Sequence, residues 1–401
     1  MSSNSKIVQF IEYCEENNHE WLPEFEKQYP SIKVSIDGSL AIFNYSIGAN
    51  FNDPIVQESR GIIIDTLSKR VVCWPFRKFG KTNEYYADKI DWDTAVVQEK
   101  IDGSIVKLWF NNITDKWQFS TNSIINAINA PIGDGLTFPN NFLFLIQEAK
   151  NYREIDFDNL SKDITYIFEL VSPYNRVVIP YEKTELYHIG TRSNITGEEL
   201  DIDIGIQKPR RYVDELYMSP ANMVPLADAF NKGEEGRFVR CECEGFVVVD
   251  QFFNRVKVKS RIYTVLHNLK TGSKRSKNEL LAMLYEGEID VTSVCSKFPE
   301  EAHIIKYYDY ALSEFLFDVK NSINFARQLY ESSDNDRKYV SSLISDNKYS
   351  RIMFAAISHP EYTWENVLWS GNWFDFTSES ERSKIFDKYI ETYHNTPTDK
   401  F

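Results

Sequence analysis

Lys100 is followed by Ile101-Asp102-Gly103-Ser104 and lies between two β-prone runs, residues 95–97 and 105–110. The pattern predicts a tight turn between strands, with Gly103 free to take a positive φ. A lysine held beside apolar strands loses part of its hydration, which lowers its pKa and frees an amine for attack. An ordinary hairpin with a solvated lysine has the same short sequence, so Lys100 has to be read with other residues. Glu169 falls inside the apolar run 165–171, and Glu244 opens the run 245–250. Lys257 and Lys259 alternate in a third run, 255–259, and so share one strand face. Two inward lysines on an apolar strand need an anionic partner. Polyphosphate is such a partner, and Glu169 and Glu244 can hold a divalent cation that shields it. The competing reading is an edge strand whose lysines face water.

The elements that must position these residues follow from the patterning. Residues 5–28 read as an amphipathic N-terminal helix. Runs 32–36 and 40–45 flank Asp37-Gly38, a hairpin signal. Arg60-Gly61 leads into a buried strand, and 71–79 is a strand ending in basic and aromatic residues. Strands are predicted through 116–122, 165–171, 177–181, 186–190, 245–250 and 255–259, with a helix over 140–151 and a turn at Thr196-Gly197. From about Ile262 the period changes. Ile304, Tyr308, Leu312, Phe315, Val319, Ile323 and Ala326 recur at spacings of three and four, an apolar helical stripe. The expected boundary lies near Thr271, giving domains 1–270 and 271–401.

Composition narrows the class. A chain of 401 residues with 42% hydrophobic and 14% aromatic content is globular and long enough for two domains. No apolar run is long enough to span a bilayer, and residues 1–6 lack a signal-peptide core. Five scattered cysteines give no disulfide framework. Cys241 and Cys243 lack a second ligand pair and read as alternating strand residues before they read as a metal site. The sequon Asn194-Ile195-Thr196 has no other sign of secretion beside it, so a reducing cytoplasm is expected. A net charge of −14 excludes a general nucleic-acid coat but not an enzyme whose basic residues gather in one cleft. Residues 271–401 hold 15 Lys and Arg against 21 Asp and Glu, so they form no basic arm. A cluster at the junction (Lys270, Lys274, Arg275, Lys277) suits either phosphate contact or solvated helix ends.

Together and in this order, the elements resemble the covalent nucleotidyltransferases, the polynucleotide ligases and mRNA capping enzymes. Glu99-Lys100-Ile101-Asp102-Gly103-Ser104 resembles the nucleotidyl-lysine motif, Phe168-Glu169 the third motif, Glu244-Gly245-Phe246-Val247 the fourth and Lys257-Val258-Lys259 the fifth. Residues 168–178, Arg192 with Thr196-Gly197-Glu198, Arg60-Gly61-Ile62, Arg77-Lys78-Phe79, and Lys259-Ser260 with Tyr263 and His267 are similar to the phage RNA ligase 1 family. The likeness covers about residues 40–270. It implies an α+β fold, with ATP-grasp-like antiparallel sheets around a nucleotide cleft followed by an all-α C-terminal domain. It also implies a three-step, ATP-dependent RNA ligase. Lys100 attacks the α-phosphate of ATP and holds AMP, the adenylate passes to an RNA 5′-phosphate, and a 3′-hydroxyl displaces AMP. Lys257 and Lys259 would neutralise the phosphate and depress the Lys100 pKa by like-charge repulsion. Glu169 and Glu244 would hold Mg²⁺, with Mn²⁺ as an alternative, or contact the ribose. By motif position Arg60 and Lys78 reach the nucleotide, Tyr45 lies in its pocket, the Ile101 backbone faces the adenine edge, and Tyr263 serves later steps.

Two positions depart from the pattern. Thr121-Asn122-Ser123 stands where the family often carries a basic residue, and the helical-domain acidic ligand aligns loosely with Asp290. A helical tail in place of an OB-fold resembles the tRNA-repairing ligases. The expected partner is therefore a tRNA with a broken anticodon loop, met by a monomer in the cytoplasm of a phage-infected bacterium, without membrane or protein partner. A DNA ligase, a guanylyltransferase and a non-catalytic RNA-end binder remain the alternatives.

Overall fold

Ser5 starts the regular structure: its hydroxyl accepts from Val8 N and caps α1 (Lys6–Glu16). The computed structural model of the protein describes residues 4–46, 48–82, 84–132, 140–212, 243–270 and 274–370. The single helix expected over 5–28 is two, because Asn18 turns left-handed at φ 58° before α2 (Trp21–Gln28). The described chain forms two compact units that part in sequence between Thr264 and Val265. The expected boundary at Thr271, the side chains of the junction cluster, and Cys241 lie outside the described residues.

Three antiparallel sheets build the first unit. β1 (Ile32–Asp37) and β2 (Leu40–Tyr45) form the expected hairpin, continued by β3 (Arg60–Asp65) and β4 (Arg70–Cys73). The short α3 (Pro54–Glu58), capped by Asp53, delivers the chain to Arg60. Ile7, Val8 and Ile11 of α1 and Phe25 of α2 bury against Phe43, Ile62 and Ile64, closing one face of this sheet.

The other two sheets share the segment around Lys100. β5 (Val96–Glu99) pairs with β12 (Gly245–Val249), which pairs with β13 (Arg255–Lys259); the short β11 (Arg211–Tyr212) adds to the other edge of β5. β6 (Ser104–Asn111) belongs to a different sheet, between β7 (Lys116–Ser120) and β8 (Ile164–Val171), with β9 (Glu185–Ser193) and β10 (Glu199–Leu200) beyond. Lys100 to Gly103 is therefore a crossover between sheets and not the expected hairpin turn. Gly103 is not at positive φ either. It is needed for close approach, since a Cβ there would stand 2.3 Å from Leu170 O. Residues 177–181 form no strand; the amides of Val178 and Ile179 both donate to Asp102 Oδ2, at 2.8 and 2.7 Å. The helix expected over 140–151 is confined to α4 (Phe142–Gln147), which Asn141 caps and which packs on the five-stranded sheet through Leu145 and Ile146.

The second unit is helical throughout its described residues. After α5 (Arg261–Lys270), which spans the parting of the units, come α6 (Lys274–Tyr285), α7 (Val291–Lys297) and the long α8 (Ala302–Ser332). α9 (Arg337–Ile344), α10 (Ser350–Ser358) and α11 (Trp364–Ser370) follow. The stripe predicted on α8 is buried from Tyr308 to Ala326, with Ile305 in place of Ile304 at its start. Among the described residues no helix is long and apolar enough to cross a membrane.

Candidate active site

The crossover brings Lys100 against a carboxylate from the neighbouring strand. Glu244, immediately before β12, is 2% exposed, and its two oxygens bridge two ammonium groups. Oε2 lies 2.7 Å from Lys100 Nζ, and Oε1 lies 2.8 Å from Lys259 Nζ. The pairing follows from register, since Gly245 stands opposite Lys259 and Lys100 N donates to Gly245 O. Glu169 reaches the same place from β8 and accepts from Gly103 N at 3.2 Å. Asp102 fixes the crossover itself. Besides the two amides of 178–179, it accepts from Tyr263 Oη at 2.6 Å, while its own amide donates to Tyr181 Oη.

Arg60, Lys100, Ile101, Glu169, Lys257 and Lys259 line one cavity of roughly 160 Å³, with Phe76, Phe79, Ile105, Ile189 and Val247 as its apolar walls. Six residues singled out in the sequence thus meet, with Glu244 bonded to two of them. Arg60 stacks its guanidinium over Phe79, 4.9 Å from the ring centroid. Tyr45 and Lys78 do not line this cavity. Lys78 Nζ lies over the rings of Tyr45 and Phe51, 5.2 and 4.9 Å from their centroids. Asp290 caps α7, accepting from Ser293 N and Ser293 Oγ. Arg192 and Gly197 act as a corner clamp: Arg192 donates to Pro75 O and Gly197 O and covers Trp74.

The electrostatics correct one expectation. Burial works to lower the Lys100 pKa, but the carboxylates of Glu244 and Glu169 outweigh it, and the net shift is upward. Lys257 carries the depressed value instead. Burial, then repulsion from Lys78, Arg60, Lys259 and Lys100, brings it down to about 7. Like-charge repulsion does act here, on the lysine that is not paired with Glu244. Burial also pushes Glu169 up to about 7, against the pull of Lys100.

The donor set fits a hard divalent ion. Glu169 and Glu244 offer oxygen ligands only, and among the described residues no group of three or more His, Cys, Asp or Glu is gathered. A Mg²⁺-type ion held by one or two carboxylates is completed by phosphate and water. Patterning also missed residues that need tertiary structure to be seen, namely Phe76, Arg255 and the buried Lys107. Their only sequence signal was a basic or aromatic residue in a strand.

The cavity sets cationic side chains beside two buried carboxylates, chemistry that suits a polyanionic ligand. The RNA ligase family profile of the phage T4 type 1 enzymes matches residues 58–263, just over half of the chain. The chain belongs to this RNA ligase family. It is 27% identical over 305 residues to a protein described as a bifunctional polynucleotide kinase/RNA ligase of Autographa californica nuclear polyhedrosis virus, covering 71% of this chain and 41% of that one. The chain thus spans less than half the length of that relative. It is 24% identical over 370 residues to an RNA ligase of Rhodothermus phage RM378, covering 77% and 78% of the two chains. Among solved structures, an archaeal ATP-dependent RNA ligase is similar at a TM-score of 0.46 and 13% identity, over 79% of this chain and 82% of that one.

Proposed function

We propose that the protein is an ATP-dependent RNA ligase that works through a lysyl-AMP intermediate on Lys100. The observation that carries this reading is the position of Lys100. Its ammonium is bonded to Glu244 in a cavity that also holds Arg60, Glu169, Lys257 and Lys259. In the first step the neutral Lys100 amine attacks the α-phosphorus of ATP, a P–N bond forms, and the bond to pyrophosphate breaks. Positioning and charge neutralisation supply most of the catalysis in such transfers. Lys257 and Lys259 neutralise the phosphate oxygens, and Arg60 adds a planar donor fork. Glu244 favours the charged form of Lys100, so the amine becomes nucleophilic when that ion pair loosens and its proton passes to a carboxylate or to water. A bound Mg²⁺ or Mn²⁺ would add charge neutralisation at the phosphate, with Glu169 and Glu244 as its protein ligands. The adenylate then passes to an RNA 5′-phosphate, and a 3′-hydroxyl closes the strand with release of AMP.

The natural task we propose is repair of RNA with broken ends, nicked tRNA anticodon loops above all. Two features support it: the helical second unit, and a relative whose name pairs RNA ligase with polynucleotide kinase, an activity that makes the 5′-phosphate a ligase consumes. The deciding experiment is mass spectrometry of the protein after ATP and Mg²⁺, beside Lys100→Ala. One AMP added to wild type and none to the variant is the expected result. Labelling by GTP alone would indicate a guanylyltransferase, and sealing of DNA ends over RNA ends a DNA ligase. RNA binding without any adduct would leave an end binder.

A further inference from the structure

We propose that Lys107 is a positioning residue for the nucleotide step: its ammonium clamps Arg60-Gly61 to Thr121-Asn122 behind the wall of the cavity. The proposal rests on the ligase reading above. Lys107 is fully buried on β6, two residues from Ile105, and so shares the face that Ile105 turns to the cavity. Its Nζ donates to Gly61 O at 2.8 Å and to Thr121 O at 2.6 Å. No carboxylate lies within ion-pair distance of it among the described residues.

The packing around this ammonium leaves no room for a side chain at Gly61. Gly61 sits at φ 87°, where a side chain is strained, and a Cβ there would stand 2.4 Å from Lys107 Nζ and 2.8 Å from the Asn122 backbone. Three segments therefore meet at one cation: the start of β3, the middle of β6 and the loop after β7. Arg60, one residue before Gly61, lines the cavity. Asn122, one residue after Thr121, carries a buried Oδ1 with no hydrogen-bond partner. Residues 121–123 bear no charge, and the register Lys107↔Ser120 brings one from the adjacent strand instead.

A role in folding alone does not account for a cation at this place. Burying a charge without a counter-ion is costly, and a neutral donor such as glutamine could serve the same two carbonyls without it. Burial, with Arg60 adding repulsion, draws the Lys107 pKa down to about 8, so the strain is felt at the ammonium itself. The charge gains its counterpart when an anionic ligand occupies the cavity next to Arg60.

The test is Lys107→Gln, which keeps a donor for the two carbonyls and removes the charge. We expect the KM for ATP in lysyl-AMP formation to rise tenfold or more. The rate at saturating ATP should fall less, and the melting temperature should equal or exceed that of wild type. A purely structural lysine gives the reverse, a lowered melting temperature with the KM of the folded enzyme unchanged. A KM within twofold of wild type overturns the proposal. Should Lys107→Gln not fold, Lys107→Met carries the test, with the same rise in KM expected and the same twofold limit. Should wild type itself form no adenylate, the ligase reading fails, and ATP affinity by calorimetry replaces KM. An affinity within twofold of wild type in both variants then overturns the role of Lys107.

Discussion

The Glu244 carboxylate forms ion pairs with two of the three lysines at the site. Lys257 forms no ion pair with Glu244, and its pKa falls to about 7. The unfolded chain holds that proton up to the ordinary lysine value of 10.5, so between pH 7 and 10.5 it binds more protons than the folded one. Folding stability from this group is therefore reduced below pH 7 and regained as pH rises through that window. A bound polyphosphate favours the charged form and reverses the shift. ATP binding at pH 8 should accordingly take up about one proton more in wild type than in Lys257→Met. Calorimetry in two buffers of different ionisation enthalpy reads this directly, and equal uptake by both proteins would refute it. The identities of these residues were legible in the sequence, because motif spacing survives without geometry. The direction of the Lys100 shift was not. It depends on which carboxylate oxygen reaches which ammonium, a matter of tertiary register.

The sheets set that register, and the Lys100–Gly103 crossover joins two of them. Gly103 brings β6 onto β8 so closely that a methyl group would meet the Leu170 carbonyl at 2.3 Å. Gly103→Ala must push the crossover off Glu169, whose carboxylate accepts from the Gly103 amide. We expect a clear loss of thermal stability, on the order of 2–3 kcal/mol as for other overpacked sites, together with loss of AMP adduct. Scanning calorimetry and adduct mass check the two halves; an unchanged melting temperature would contradict the packing argument. Hairpins such as β1–β2 and β12–β13 were legible because alternation and turn residues are local signals. The crossover and residues 177–181 were misread for one reason. Apolar and β-branched residues predict extended chain, but only the fold decides whether the backbone pairs with a strand or with a buried carboxylate such as Asp102. The split between α1 and α2 was missed because it rests on Asn18 alone.

Across the whole molecule the charge is unevenly placed. The chain carries −14, yet Arg60, Lys100, Arg255, Lys257 and Lys259 line a single cavity against Glu99 and Glu169. Part of that positive charge is already matched, since Arg255 pairs with Glu199, and Lys100 and Lys259 share Glu244. Binding of RNA ends should therefore release few counter-ions. We expect log affinity against log salt to fall with a slope no steeper than about −3, given about −0.7 per single-strand phosphate neutralised. Titrations at several salt concentrations measure it, and a slope near that of a strand-coating protein would show basic surface elsewhere. The helical architecture of the second unit was legible from the periodicity of α8, whereas the cavity's apolar walls come from distant strands and left no local mark. A net charge of −14 beside this cluster of cations also bears on how the protein would search. We expect it neither to park along the interior of an intact strand nor to slide on it, so that an encounter is brief unless a terminus enters the cavity. It would then spend little time on unbroken RNA and release a strand soon after the break is gone.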